Sequence, residues 1–389
     1  MMQPLYKQHE APEKPLTHSH KGLWYDRFFN GYSDTWTVDS KSKQQWIDTV
    51  KGACGDLKRL SEVSLRTSQM VKAMSGSVFS ARSDWHFATG LGLPHPVENG
   101  FQWHPTLGVP YLPGSAVKGL LRAWYESWAD PFPEGSTLHG WFGSENKDPR
   151  KCRKDAQTGS FIFLDALPVE CPILSADVMT PHMGQWYADG AQRPLDANTS
   201  PGDWHNPVPV PFLVSAKTTL LFAVIPRDST AQKELPALMM ALQQALDWLG
   251  AGAKTAVGYG HFVRDEEIDR KIQKCIDQLT EQQIQEQKDR ELEDSLRSLP
   301  QDLAVLMQHK HEHQNWANKE LFYKDVGAIL TDYSSLTLEA WQWLHNEMNR
   351  QFPDIMMDPD AKEGKKKKPK YKEMAINLAK IIIAIDPSP

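Results

Sequence analysis

Residues 250–262 read GAGAKTAVGYGHF, with four glycines in eleven residues and a Lys-Thr pair between them. A phosphate-binding nucleotide loop requires Gly, four residues, then Gly-Lys-Ser/Thr. Ala253 and Trp248 occupy the two positions where those glycines belong. The order of elements is also reversed. A nucleotide loop runs strand, loop, helix, so that the helix N-terminus faces the phosphate. Here the preceding stretch, ELPALMMALQQALDWL, sets Leu238, Leu242, Ala245, Leu246 and Leu249 at helical spacing. The following AVGYGHFV predicts a strand. Helix, Gly-loop, strand is not a nucleotidase.

Outward from this stretch, 389 residues suffice for one large or two ordinary domains, and 40% hydrophobic residues with 14 Trp provide a core. The net charge of −6 does not mark a generally basic nucleic-acid binder. Residues 266–389 hold 18 Lys/Arg against 23 Asp/Glu, leaving 25 against 26 in residues 1–265. The first part is therefore close to neutral and has room for a local basic groove. Cys54, Cys152, Cys171 and Cys275 are scattered without a CxxC pair, which fits a reducing compartment and points to neither a zinc site nor a disulfide framework. MMQPLYKQHEAPEKP lacks the apolar run of a signal peptide, and AINLAKIIIAI is too short to span a bilayer. A cytoplasmic protein with no membrane partner is expected.

Residues 1–40 read as irregular. From about Lys43 to Met74 the pattern is helical over Trp46, Ile47, Val50, Cys54, Leu57, Leu60, Val63 and Val71. SGSVFSARSDWHFATGLGL alternates at Val78, Ser80, Arg82 and Asp84, as a strand does. After a Gly/Pro-rich loop, a helix is predicted over Ala116–Trp128, with Ser115 as its N-cap and Val117, Leu120, Leu121, Trp124 and Trp128 as its apolar stripe. GSFIFLDALPV predicts a buried strand ended by Pro168, and residues 170–209 a long insertion of little periodicity. VPVPFLVSAKTTLLFAVIP supplies one or two strands before the helix and Gly-loop. Strand, helix, strand, strand, helix, strand is the α+β, ferredoxin-like (RRM-like) βαββαβ plan, which RNA-recognition modules share. Three divisions follow. Residues 1–74 form an irregular segment and helix, and 75–265 a ferredoxin-like core. Residues 266–389 form an α-helical C-terminal extension with a basic linker at 360–372.

Two stretches carry binding chemistry. In YLPGSAVKGLLRAW, Gly114-Ser115 turns the chain into a helix whose free N–H groups can face a phosphate, and Lys118 and Arg122 share one face. The pattern equally fits a capped helix with a solvated basic side. In GAGAKTAVGYGHF the glycines permit close backbone approach, while Lys254, Thr255, Tyr259 and His261 add a cation, a hydroxyl and rings. A tight helix-to-strand turn would need fewer glycines.

PGSAVKGLLRAW, WFGS with GSFIFLDALP, DVMTPHMGQWY with NPVPVPFLV, and GAGAKTAVGYGHF occur in that order over residues 75–265. This succession resembles the RAMP superfamily of CRISPR proteins, and within it the sixth-subunit family of Cmr (type III-B) effector complexes. The resemblance implies a ferredoxin-like RNA-binding core with its Gly-rich loop against the guide. It also implies a place near the 3′ end of the crRNA, and as partners crRNA, target RNA and other Cmr/RAMP subunits of a ribonucleoprotein. On that pattern Ser115, Lys118, Arg122, Gly252, Lys254, Thr255, Tyr259 and His261 are the expected RNA-binding residues, and the insertion at 170–209 matches a thumb-like element.

RAMP relatives that cleave RNA use a metal-bound loop aspartate or a histidine base. The loop at 90–112 has Glu98 as its only acid, beside His95 and His104, a set that admits acid–base work or an ordinary exposed loop. His309, His311 and His313 in HKHEH invite a metal, but no companion ligand is apparent, and Lys365–Lys368 suit a solvated linker. The expectation is a non-catalytic subunit without cofactor or metal. The alternative is an endoribonuclease maturing precursor crRNA, with His95 or His104 as base.

Overall fold

The computed structural model describes residues 15, 19–128, 137–144, 157–193, 196, 199–202, 204–312, 336–351 and 353. The chain forms two compact units, residues 1–278 and 279–389.

The core of the first unit is an antiparallel sheet built from β2 (Ser77–Ser83), β3 (Phe161–Phe163), β7 (Thr219–Pro226) and β8 (Phe262–Arg264), in the spatial order β3-β7-β2-β8. The two-residue β4 (Leu167–Pro168) also pairs with β7. Between these strands run α4 (Gly114–Ser127), followed by the short α5 (Leu138–Phe142), and α7 (Ser229–Trp248), completing the βαββαβ plan expected from the sequence. Phe79, Phe222, Val224 and Phe262 pack against Val117 and Leu121 of α4 and Leu238 and Leu242 of α7. On the opposite face Val71 of α3 (Leu57–Ala73) packs on Val78, Ala223 and Ile225. Cover on both faces explains why every residue of TLLFAVIP in β7 is buried. It also closes the sheet face on which RNA-recognition modules stack bases.

A second sheet is ordered β1-β5-β6, from β1 (Gly52–Ala53), β5 (Ile173–Met179) and β6 (Val210–Ser215). One face holds Leu174 and Leu213 against Trp24, Tyr25, Phe29, Trp46 and Ile47. The other presents Phe212 and Val214 to Ala88 and Tyr259. Several expectations are corrected here. The N-terminal segment contains a helix, α1 (Lys21–Arg27), because Trp24 and Tyr25 bury themselves in this aromatic core. The single helix expected over 43–74 is two, α2 (Ser40–Val50) and α3. Gly52 and Gly55 turn the chain at φ 88° and 86°, and the Asp56 side chain accepts from Arg59 N to start α3. The insertion is not featureless, since β5 and a short α6 (Gly184–Asp189) lie within it. The strand expected over AVGYGHFV is only β8, its first residues belonging to the loop. The run GSFIFLDALPV is split at Asp165, whose Oδ1 accepts from Gly114 N at 2.7 Å.

α8 (Glu266–Arg297) follows β8. Its residues up to Gln278 belong to the first unit, where Asp269 Oδ1 accepts from Ser80 N at 2.6 Å and Asp265, just before the helix, pairs with Arg82 at 2.7 Å. In the second unit α9 (Gln301–Glu312) and α10 (Leu338–Gln351) bury Leu303, Leu306 and Ala340, and Lys310 pairs with Glu347 at 2.7 Å. His313 and Lys365–Lys368 lie outside the described residues. Among the described residues no three His, Cys, Asp or Glu side chains are grouped to hold a metal. No described helix is long and apolar enough to cross a membrane.

Candidate nucleic-acid interface

The Gly-rich loop owes its shape to conformations that side chains resist. Gly250, Gly252, Gly258 and Gly260 have φ of 71°, 97°, 93° and 66°, and Lys254 sits at 61°. Ala251 N donates to Gly260 O at 2.7 Å, closing the loop at its neck. Gly260 N donates to His86 O and Ala253 N to Ala88 O, both at 2.8 Å, so the loop is sewn to the segment leaving β2. A Cβ on Gly252 would stand 2.2 Å from Ala88 O, so glycine is there for close approach.

Across from the loop runs α4. Ala116, Leu120, Ala123, Ser127 and Trp128 on one side, and Gly250, Ala251, Gly252 and Thr255 on the other, line a groove of 450 Å³. The two stretches singled out in the sequence, more than a hundred residues apart, therefore meet. They do not meet through the expected cations. At about 100° per residue, Lys118 and Arg122 project roughly 140° away from the Ala116–Leu120–Ala123 stripe. Lys118 makes no ion pair among the described residues, whereas Arg122 Nε bonds Glu126 Oε1 at 2.8 Å. Ser115 is exposed but does not cap the helix. The N-cap is Pro113, and the first free N–H, that of Gly114, is taken by Asp165.

Of the loop side chains, Thr255 lines the groove and Lys254 places Nζ 5.5 Å from the centre of the Phe212 ring. His261 lies between two carboxylates, Nδ1 2.9 Å from Asp84 and Nε2 3.4 Å from Asp247. Tyr259 was expected to offer a stacking ring, but it is 7% exposed. Its hydroxyl donates to Asp177 Oδ2 at 2.6 Å, and His86 Nδ1 lies 3.0 Å from the same oxygen. Burial and then the Asp177 hydrogen bond raise the Tyr259 phenol above its ordinary value. For Asp177, burial acts upward, but hydrogen bonds from Tyr259, Val178 N–H and His86 outweigh it and the carboxyl titrates below its ordinary range. Tyr259 thus anchors the loop to β5. Packed against Tyr259, the ring of Trp85 stays 46% exposed, and sequence reading passed over it as the end of a strand.

His95 and His104 are both engaged in holding the 90–112 loop. His95 stacks on Tyr25 at 4.3 Å, its Nε2 bonds Tyr25 O at 2.9 Å and its Nδ1 accepts from Val97 N. His104 Nδ1 accepts from Leu107 N at 3.3 Å. Burial lowers both imidazoles. Glu98, the third member of the set, pairs with Lys43.

Residues 78–263 match the family model of the RAMP superfamily. Over 246 residues the chain is 28% identical to the CRISPR system Cmr subunit Cmr6 of Pyrococcus furiosus, covering 50% of this chain and 70% of the relative. Among solved structures, it is similar to a chain of the type III-B Cmr-beta complex bound to cognate target RNA. That match has 20% identity, covers 62% of this chain and 79% of the other, and has a TM-score of 0.41. The crystal structure of Pyrococcus furiosus Cmr6 matches at 26% identity, over 49% of this chain and 97% of the other, with a TM-score of 0.28. The residues that match the RAMP superfamily model, 78–263, are those folded as a βαββαβ core with its Gly-rich loop after the second helix, and over them the chain is similar to that superfamily.

Proposed function

We propose that the chain is a non-catalytic, RNA-binding backbone subunit of a type III-B (Cmr) CRISPR RNA-guided effector complex, an antiviral ribonucleoprotein of the cytoplasm. It sits near the 3′ end of the crRNA, packs against other Cmr/RAMP subunits and helps hold the guide–target RNA duplex. The observation that carries this reading is the groove between α4 and the Gly-rich loop, where a loop nearly free of side chains faces a helix wall of Ala116, Leu120 and Ala123. A backbone can pass close to such walls, as a single RNA strand requires. Lys254, in the loop, has no carboxylate partner among the described residues and supplies charge for phosphates in the groove, while Lys118, likewise without an ion pair there, offers a second phosphate contact on the side of α4 turned away from it.

The geometry speaks against His95 as the base of an endoribonuclease. A general base needs a ring nitrogen free to take the substrate proton, and His95 spends both of its nitrogens on backbone groups. The test is the double variant Lys118→Glu, Lys254→Glu, co-expressed with the neighbouring subunits. Loss of retained guide RNA and failed assembly, with the variant itself folded, is expected. Normal particles carrying normal amounts of RNA would defeat the reading.

A further inference from the structure

We infer that Trp85 is a stacking platform for one unpaired nucleobase of the bound RNA. The inference rests on the RNA-binding reading above and names a contact that reading does not contain. Trp85 lies two residues beyond the end of β2, and its indole lies against His86 with centroids 4.8 Å apart and planes 15° apart. Tyr259 supports it from another side at 4.8 Å, tilted by 47°. Both supporting rings are tied to one carboxylate, Asp177, through Tyr259 Oη at 2.6 Å and His86 Nδ1 at 3.0 Å. The indole is therefore held in place before any ligand arrives, and little rotamer freedom is lost when one stacks on it. Trp128, Tyr187 and Trp248 are more exposed, at 68%, 76% and 75%, with no ring packed on them among the described residues, and Trp36 and Trp204, at 60% and 68%, meet tilted rings, Tyr32 at 53° and His205 at 43°.

Beside the indole the loop leaves room. Gly258 carries no side chain, and a Cβ there would have Trp85 Cε3 at 3.9 Å as its nearest neighbour. A flat ring at the lip of a glycine loop suits another flat ring. An apolar side chain of a protein partner would instead seek a concave, desolvated pocket. Asp84 and Asp247, which hold His261 at this end of the loop, disfavour a phosphate there, so the base and not the backbone is the part of the nucleotide that Trp85 meets. Stacking of this kind is indifferent to sequence, because every base has a π-face.

The test uses the full chain, a labelled single-stranded oligouridylate probe and fluorescence anisotropy over a range of salt. Trp85→Ala is expected to weaken binding roughly five- to hundredfold. The slope of log K against log salt stays as in the unaltered protein, and Trp85→Phe keeps most of the affinity. Lys118→Glu, by contrast, should lower the slope by about one. Unchanged affinity in Trp85→Ala, beside an unaltered chain that binds the probe, overturns the stacking inference alone. Failure of the unaltered chain to bind at all overturns the RNA reading and this inference with it. Ultraviolet cross-linking of the unaltered chain to a 4-thiouridine probe decides the matter should Trp85→Ala not fold. A cross-link at Trp85 or Gly258 supports the platform, and cross-links confined to other surfaces refute it.

Discussion

Gly252→Ala and Gly258→Ala place the same methyl group at nearly the same backbone angle, φ 97° and 93°, in very different surroundings. Both substitutions carry the cost of a left-handed conformation for an L-residue, about 1–2 kcal/mol. At Gly258 nothing more is lost, since the nearest atom to the new Cβ lies 3.9 Å away. At Gly252 the methyl would stand 2.2 Å from Ala88 O, so the loop must move away from the segment it is sewn to. That movement breaks the Ala253 N to Ala88 O hydrogen bond and leaves both groups to find new partners, adding about 1–2 kcal/mol. The expected totals are about 1–2 kcal/mol for Gly258→Ala and about 2–4 kcal/mol for Gly252→Ala. In a unit of this size, at about 2 °C per kcal/mol, these amounts lower the melting point by about 2–4 °C and 4–8 °C. Scanning calorimetry of the full chain, following the transition of the first unit, measures the difference. Amide exchange at Ala253 should quicken in Gly252→Ala only. Equal shifts in the two variants would refute the claim that glycine 252 is required by close approach and not by conformation alone.

Four further outcomes follow from the same geometry. Asp177→Asn should loosen the Gly-rich loop, read as faster exchange at Gly260 N–H, because Tyr259 and His86 lose their shared carboxylate. Since the folded Asp177 titrates below its ordinary value, its contribution to stability is complete above the unfolded carboxyl value of about 3.9. It is lost as pH falls through the depressed folded value, so an acid titration of stability should be shallower in Asp177→Asn below about pH 4. NMR titration should place the imidazoles of His95 and His104 below about 6.5, the sense in which stability falls as pH drops under that value. His95→Ala should lower the melting point, through the lost Tyr25 stack, while repeat RNA stays uncut with or without EDTA in both proteins. Specific cleavage abolished by that variant would contradict the non-catalytic reading. In the second unit Glu347→Ala leaves Lys310 half-enclosed without its carboxylate and should cost about 3 kcal/mol in urea unfolding.

The strands and helices of the core were legible because their patterns are local. Leu238, Leu242 and Leu246 announce α7 by spacing, and the unbroken apolar run of β7 announces a strand buried on both sides. What was not legible depends on distant partners. β1 is two residues long and exists only because β5 pairs with it, over a hundred residues away. α1 is too short to declare itself and is held by Trp46 and Trp103. The roles of two rings were exchanged for the same reason. Tyr259 looked like the offered face and Trp85 like a strand end, yet Asp177, 82 residues from Tyr259, draws the tyrosine inward and leaves the tryptophan outside. Ser115 matched a capping pattern, but Asp165 reached the helix N-terminus first.

The central claim, that this chain holds guide RNA within a multi-subunit particle, is tested most directly by its natural cargo. The full chain, co-expressed with its neighbouring genes and purified by a tag, should bring down other subunits. It should also bring discrete RNAs sharing a repeat-derived 5′ end, with ultraviolet cross-links at residues 112–124 and 250–261. A lone, monodisperse protein without RNA, or cross-links that avoid both stretches, would contradict the account.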